Sequence, residues 1–106
     1  MTESFIYAIT DLTYIKIGVS QNLDRRLSTL TTGNAVQLRL IGFFSGGYEL
    51  EREIHARFTK VRENGEWIVA TPALIEYLND KITDKFIVVT DGVVRYYPKM
   101  SNLDHF

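Results

Sequence analysis

The sequence has no cysteine, so disulfide bonds and thiolate metal sites are excluded. It has no apolar run near the roughly 20 residues that a membrane-spanning helix needs. Its first residues, Thr2, Glu3 and Ser4, lead into a short apolar segment and lack the pattern of a signal peptide. We therefore expect an intracellular protein that does not contact a membrane.

The sequence also lacks a large excess of positive charge. Its formal net charge is −1, whereas proteins dedicated to binding nucleic acid are often strongly basic because they neutralise phosphates. A function on DNA or RNA would therefore need a local basic surface.

What is present is typical of one small globular domain. Of the 106 residues, 45% are apolar and 24% are charged, which is enough for one core. The patterns predict strands over 5–10, 14–20, 36–44 and 66–70, helices over 22–30, 48–58 and 73–79, and a hairpin over 85–99. We expect an α/β (α+β) fold, with a main unit over 1–80. Residues 81–106 would add a C-terminal hairpin to the same globule, to extend the sheet, pack on the core or meet a partner.

The first two predicted strands, "FIYAIT" and "YIKIGVS", read as one β-hairpin. Because side chains alternate across a strand, Ile15 and Ile17 point one way and Tyr14 and Lys16 the other. The hairpin therefore presents two reactive side chains near its centre, Tyr7 and Lys16.

The first predicted helix distinguishes its two arginines. At about 100° per residue, Leu23, Leu27 and Leu30 form one apolar stripe. Arg26 lies beside that stripe, whereas Arg25 lies nearly opposite. We expect Arg25 in solvent and Arg26 at the edge where the helix meets the sheet.

The second predicted helix distinguishes its glutamates in the same way. Its apolar stripe is formed by Leu50, Ile54 and Phe58. Glu51 and His55 flank the stripe on one side, one turn apart. Glu53 lies on the other side, and Glu49 and Arg52 point further away.

These residues supply the chemistry of phosphoryl transfer. The candidate set is Tyr7, Lys16, Arg26, Glu51 and His55. A guanidinium group offers a fork for phosphate oxygens, and a carboxylate can hold Mg²⁺ while the ion keeps most of its waters. A phenol or imidazole near a cation could take a proton from an attacking water. Each residue also has an ordinary structural role open to it, in packing, in a solvated charge or in a helix pair.

Taken in order, the segments of the chain resemble the GIY-YIG nuclease family. The matching segments are "FIY" (5–7), "IKIG" (15–18), "NLDRRL" (22–27), "LEREIHARF" (50–58) and "NGEW" (64–67), the last as in a short phage-type branch. Lys16 stands where the second motif usually has tyrosine, although that branch has lysine there. The late asparagine of many members has no secure match, and Glu66 lies nearby.

The resemblance implies a three-stranded antiparallel sheet with flanking helices, and cleavage of DNA with one divalent metal, Mg²⁺ or Mn²⁺. It implies that Glu51 binds the metal, that Tyr7 activates the nucleophile and that Arg26 stabilises charge on the phosphate. Lys16 would lower the pKa of Tyr7 or contact phosphate. His55 would be an alternative base, or would orient Glu51 or a metal-bound water.

Two classes of function remain open from the sequence. The first is a Mg²⁺-dependent endonuclease that is weakly sequence-specific or directed by a partner. The second is a catalytically inactive module of the same fold that binds nucleic acid, a nucleotide or a protein; a small structural domain ranks below both. The expected partner is DNA, with RNA as an alternative, and the C-terminal hairpin could join a second copy or a protein partner.

Overall fold

The computed structural model describes residues 3–31, 37–61 and 66–99; the side chains of 29–31 are left undescribed. The strands are β1 (Phe5–Thr10), β2 (Tyr14–Ser20), β3 (Arg39–Ser45), β4 (Trp67–Val69), β5 (Lys85–Thr90) and β6 (Val93–Pro98). The helices are α1 (Leu23–Thr31), α2 (Tyr48–Arg57) and α3 (Pro72–Lys81). The predicted α+β fold with antiparallel strands is confirmed. Among the described residues, no helix is long and apolar enough to cross a membrane.

The main sheet has four antiparallel strands in the order β3-β1-β2-β4. This corrects the three-stranded sheet that the family resemblance implied. The fourth strand forms because Tyr14 and Lys16 of β2 pair with Val69 and Trp67 of β4. Ile68, between them, is fully buried on the core face, so a three-residue segment is enough to cover this part of the edge of β2.

The alternation of β1 and β2 divides the sheet into two faces. Ile15 and Ile17 are buried in the main core, which α2 and α3 complete from the same side. The opposite face carries Tyr7 and Ile9, which pack against Leu23 and Leu27 of α1 together with Leu38 and Leu40. The predicted stripe of α1 is therefore confirmed for these two leucines, and the side chain of Leu30 lies outside the described residues.

Local side-chain bonds fix the ends of the elements near the sheet. Asp11 Oδ1 accepts hydrogen bonds from the N–H groups of Thr13 and Tyr14, which closes the first hairpin. Asn22 caps α1, because its Oδ1 accepts from the N–H of Arg25 at 3.1 Å. Positions 23–27 therefore keep the orientation that the helical wheel predicts.

The C-terminal segment forms the predicted hairpin, and it is a separate two-stranded sheet. Asp91 and Gly92 take φ angles of 54° and 76°, the left-handed values that a tight turn of this kind requires. Ile87 and Val94 are buried in the main core. Of the three arrangements expected for the hairpin, packing on the core is the one observed.

Both outer edges of this hairpin are held by the rest of the chain. The side-chain amide of Asn79 donates to the Ile87 carbonyl at 2.9 Å and accepts from its N–H at 2.7 Å. On the other strand, the Val94 N–H donates to the Leu12 carbonyl at 2.7 Å. Both backbone groups of Ile87 and the N–H of Val94 are therefore already hydrogen-bonded and cannot pair with an added strand.

Candidate active site

A cleft of about 430 Å³ opens where β2, α1 and α2 meet. All five residues singled out from the sequence line it: Tyr7, Lys16, Arg26, Glu51 and His55. They come from two strands and two helices, so the fold brings together side chains that are distant in sequence. Their catalytic roles stay predictions, and the geometry of each side chain defines what it can do.

The Tyr7 side chain is buried, with 1% of its surface exposed, and it nevertheless reaches the cleft. Tyr7 is the direct cross-strand partner of Gly18, and its ring lies over that glycine. A Cβ at position 18 would lie 2.8 Å from Tyr7 Cε2, and closer still to Cζ and the hydroxyl oxygen. Gly18 therefore leaves the space through which the phenol crosses β2 into the cleft.

Arg26 extends from α1 to meet that phenol. Its Nε–H donates a hydrogen bond to the Tyr7 hydroxyl oxygen at 3.2 Å. This hydrogen bond is the largest cause that raises the pKa of Arg26, and the electrostatic interaction with Tyr7 is the next. Burial lowers the pKa, and the negative charges of Glu66 and Glu51 raise it. The guanidinium group is thus a permanent cation in the cleft. Arg25 and Arg26 are both exposed, but of the two only Arg26 lines the cleft, as the wheel predicted.

Glu51 and Glu53 lie on different sides of α2. Glu51 is half-buried and lines the cleft, whereas Glu53 is exposed and lies beside Tyr77 on the other side of the helix. The described residues contain no group of three or more histidine and acidic side chains that would enclose a metal ion. An open cleft lined by few carboxylates, here Glu51 and Glu66, fits Mg²⁺, which keeps several waters and takes substrate phosphate oxygens as ligands. It does not fit a closed structural metal centre.

His55 joins α2 to the sheet. Its Nε2 lies 2.9 Å from the carbonyl oxygen of Ile17. Since a carbonyl only accepts, Nε2 carries the proton and the lone pair of the neutral ring is on Nδ1. Nδ1 is buried and has no hydrogen-bond partner among the described residues. The β2–β4 pairing ends at Lys16, and the imidazole bonds the next residue of β2, Ile17. Its suggested role as a base stays a prediction.

Lys16 is held inside the cleft. Its side chain is 13% exposed and forms an ion pair with Glu66 at 3.0 Å. Its Nζ also lies 5.9 Å from the centroid of the Trp67 ring, within range of a cation–π contact. Lys16 is therefore not the solvated edge charge that a strand lysine usually is. The contact with Glu66 was not anticipated, because it depends on the pairing of β4 with β2.

The charged side chains that line the cleft are mainly basic. They comprise four cations and two carboxylates, namely Lys16, Arg26, Arg52, Lys60, Glu51 and Glu66. These six side chains have a formal net charge of +2, against −1 for the whole chain. They supply the local basic surface that binding a nucleic acid requires.

Two of these cations were missed from the sequence. Arg52 was expected to point further away from the apolar stripe of α2 than Glu51 and His55. This was wrong, since Arg52 lines the cleft. The wheel gives the direction of its Cβ, but a long, exposed side chain can turn back toward the rim. Lys60 follows the end of α2, and the isolated bridge that it forms with Ile68 holds it beside the sheet.

Comparison with known proteins corrects the family. Residues 4–83 match the model of the T5orf172 domain, and the GIY-YIG nuclease family does not match. The resemblance to the GIY-YIG family depends on five short segments, one of which has lysine in place of the usual tyrosine. Segments of this length constrain few positions, whereas the domain model is compared over the whole range.

The matched range includes α1 to α3 and the four strands of the main sheet, and it ends before β5. No curated protein and no solved structure matches the chain. The T5orf172 domain is a nuclease-associated family, which indicates DNA as its class of partner. Because the model spans most of the sequence, the chain belongs to the T5orf172 domain family.

Proposed function

We propose that this protein hydrolyses phosphodiester bonds of DNA in the cleft, with Mg²⁺ or Mn²⁺ as its cofactor. The observation that carries the proposal is the Tyr7–Arg26 hydrogen bond, in a basic cleft that Glu51 also lines. The reaction adds water across one P–O bond and yields a phosphate monoester and a hydroxyl end.

Arg26 is the residue proposed to stabilise the phosphate. Its Nε–H is committed to Tyr7, and the two terminal nitrogens of the guanidinium group remain to donate to phosphate oxygens. Because the cation is fixed in the cleft before substrate binds, it would meet the charge that develops on the phosphate without rearranging.

Glu51 is the residue proposed to hold the metal ion. Glu51 would hold a divalent ion there, and the ion would supply positive charge to polarise a phosphate oxygen. His55 supports the placement of Glu51 indirectly, because its hydrogen bond to the Ile17 carbonyl fixes α2 against β2.

Tyr7 is proposed to orient the attacking water. Its hydroxyl oxygen accepts from Arg26, which leaves the phenolic proton and one lone pair for further hydrogen bonds. Lys16 lies on the same face of the sheet and is proposed to contact a phosphate when the charge of the substrate competes with Glu66.

Weak sequence specificity is expected from such a cleft. Its lining is dominated by cations suited to phosphates, and phosphate contacts position a nucleic acid without reading its sequence. Choice of target would then depend on DNA shape or on a partner.

Plasmid nicking tests the proposal. Purified protein is incubated with supercoiled plasmid and Mg²⁺, Mn²⁺ or EDTA, beside Arg26→Ala and Glu51→Ala. The matched controls are Arg25→Ala and Glu53→Ala, which remove the same charge from the same helices outside the cleft. We expect metal-dependent nicking that falls by about 100-fold or more in the two cleft variants and persists in the controls.

Equal residual nicking in all variants would indicate contamination and refute the proposal. DNA binding without nicking by the unaltered protein would instead favour the inactive binding module. The same assay with a labelled RNA decides between the two substrates.

A further inference from the structure

A second groove lies along the edge of β6. It has a volume of about 300 Å³ and is lined by Leu12, Arg39, Val93, Val94, Arg95, Tyr96 and Tyr97. Two of these residues are arginines, two are tyrosines and none is acidic. The groove shares no residue with the cleft, and most of its lining lies beyond the residues that match the family.

The arginines of this groove are not neutralised by any of the residues that the structure describes. Across residues 3–31, 37–61 and 66–99, the side chains of Arg39 and Arg95 have no hydrogen bond or ion pair. Other surface cations do have partners: Lys85 pairs with Asp84 at 3.1 Å, and Arg57 lies over the Phe58 ring. Two guanidinium groups that have no anionic partner in the described part of the chain favour an anionic ligand.

The adjoining face of the hairpin exposes aromatic rings. Phe86 and Tyr97 are direct cross-strand partners, so they lie on the same face, and they are 48% and 50% exposed. Tyr96 points to the other face and packs against the main core. Exposed aromatic rings beside arginines form a surface on which unpaired bases can stack while phosphates are held.

The hairpin presents this surface rigidly. Asn79 and Leu12 bond its two edges, and Lys99 Nζ donates to the carbonyls of Asn79 and Ile82 at 2.9 and 3.0 Å. A ligand would therefore meet a hairpin whose backbone is already held in place, which lowers the entropic cost of binding.

We propose that this groove and the outer face of the hairpin bind single-stranded DNA. Arg39 and Arg95 hold phosphates, and Tyr97 and Phe86 stack on bases. A duplex would offer only its phosphates, since its bases are stacked inside. Pairing of this groove with the same groove of a second copy is disfavoured, because both grooves are positively charged. The proposal goes beyond the cleft and does not depend on catalysis.

Fluorescence anisotropy of a labelled oligothymidylate in EDTA tests this surface, with the full chain and with variants. We expect Arg95→Gln and Tyr97→Ala each to raise the dissociation constant by about tenfold. Lys81→Gln is the matched control, because it removes one positive charge at an exposed position of α3, and it should change binding less than twofold. Arg26→Gln reports on the cleft, and the effect of Tyr97→Ala should persist in that background.

Three results would overturn the proposal. Equal weakening of oligonucleotide binding by Arg95→Gln and Lys81→Gln would show that binding depends only on the overall charge of the protein. Loss of oligonucleotide binding in Arg26→Gln, with Tyr97→Ala unchanged, would place the strand in the cleft. Competition by polyglutamate as strong as that by unlabelled oligonucleotide would assign the groove to an acidic protein. Failure of plasmid nicking affects none of these outcomes.

Discussion

Replacement of Gly18 by alanine tests how the phenol reaches the cleft. The new Cβ would overlap the Tyr7 ring, and that ring has little room to move. Its side chain is 1% exposed and is enclosed by Ile9, Leu23 and Leu27. Relief would therefore require shifts of β2, the ring or α1, and each of these disturbs the contact of Tyr7 with Arg26.

The expected magnitude follows from two opposing terms. Overpacking of this kind costs about 1–3 kcal/mol. Alanine in place of a strand glycine recovers roughly 0.5–1 kcal/mol of backbone entropy. We therefore expect Gly18→Ala to lower the free energy of unfolding by about 1–2 kcal/mol, the middle of the range that these two terms allow. It should also lower the nicking rate, because the phenol is displaced from Arg26.

Urea unfolding followed by the fluorescence of Trp67, the single tryptophan, measures the change. A double-mutant cycle with Tyr7→Leu supplies the control, because the shorter side chain removes the ring that the new methyl group overlaps. In that background Gly18→Ala should cost little or should stabilise. An equal cost in both backgrounds, or an unchanged urea midpoint in the Tyr7 protein, would refute the steric reasoning.

Other perturbations probe the rest of the structure. Asn79→Ala should lower the free energy of unfolding by about 2–3 kcal/mol, since it leaves both backbone groups of Ile87 without the side-chain partner. Asn79→Asp should lower it by less. Equal urea midpoints for Asn79→Ala and the unaltered protein would contradict a stabilising role for these hydrogen bonds. Glu66→Gln should tighten DNA binding several-fold in EDTA, because it removes the ion pair with Lys16 and a negative charge from the cleft. Fluorescence anisotropy of labelled DNA measures the change. An unchanged dissociation constant would mean that the ion pair does not compete with phosphate. Burial, then the charge of Glu53, raises the pKa of Tyr77. The folded protein thus keeps a proton that the unfolded chain releases, so stability should fall as the pH rises above about 10. Tyr77→Phe should remove this part of the fall in urea titrations, and an identical pH profile would contradict it.

Local signals in the sequence predicted most of the fold. Strand alternation placed Ile15 and Ile17 in the core, and Asp91-Gly92 specified the turn of the C-terminal hairpin. Thr71 caps α3, because its hydroxyl oxygen accepts from the N–H of Leu74. These features depend on residues close together in the chain, where propensity and hydrogen bonding act directly.

Features that depend on tertiary pairing were not accessible. The placement of β4 beside β2 brings Glu66 to Lys16, and no local pattern specifies that contact. Helical wheels correctly placed Arg26 and Glu51 on the cleft side and Arg25 and Glu53 away from it, because the residues of each pair differ in their angle around the helix axis. They failed for Arg52, since the reach of a long side chain depends on the neighbouring elements.

The family assignment shows the same limit. Short motifs around Tyr7, Arg26 and Glu51 pointed to side chains that do meet in one cleft, yet they indicated the wrong family. Each motif fixes a few positions, and many sequences satisfy them. Agreement over residues 4–83 is the more demanding test, and it selects the T5orf172 domain.

The rates of metal-dependent plasmid nicking by Glu51→Gln and Glu53→Gln test the central claim most directly. Both changes remove one carboxylate charge from α2 while keeping the shape of the side chain, and they differ in which side of the helix they affect. The proposed active site predicts a loss of about 100-fold or more for Glu51→Gln and a rate near that of the unaltered protein for Glu53→Gln. Equal rates for the two variants would contradict it.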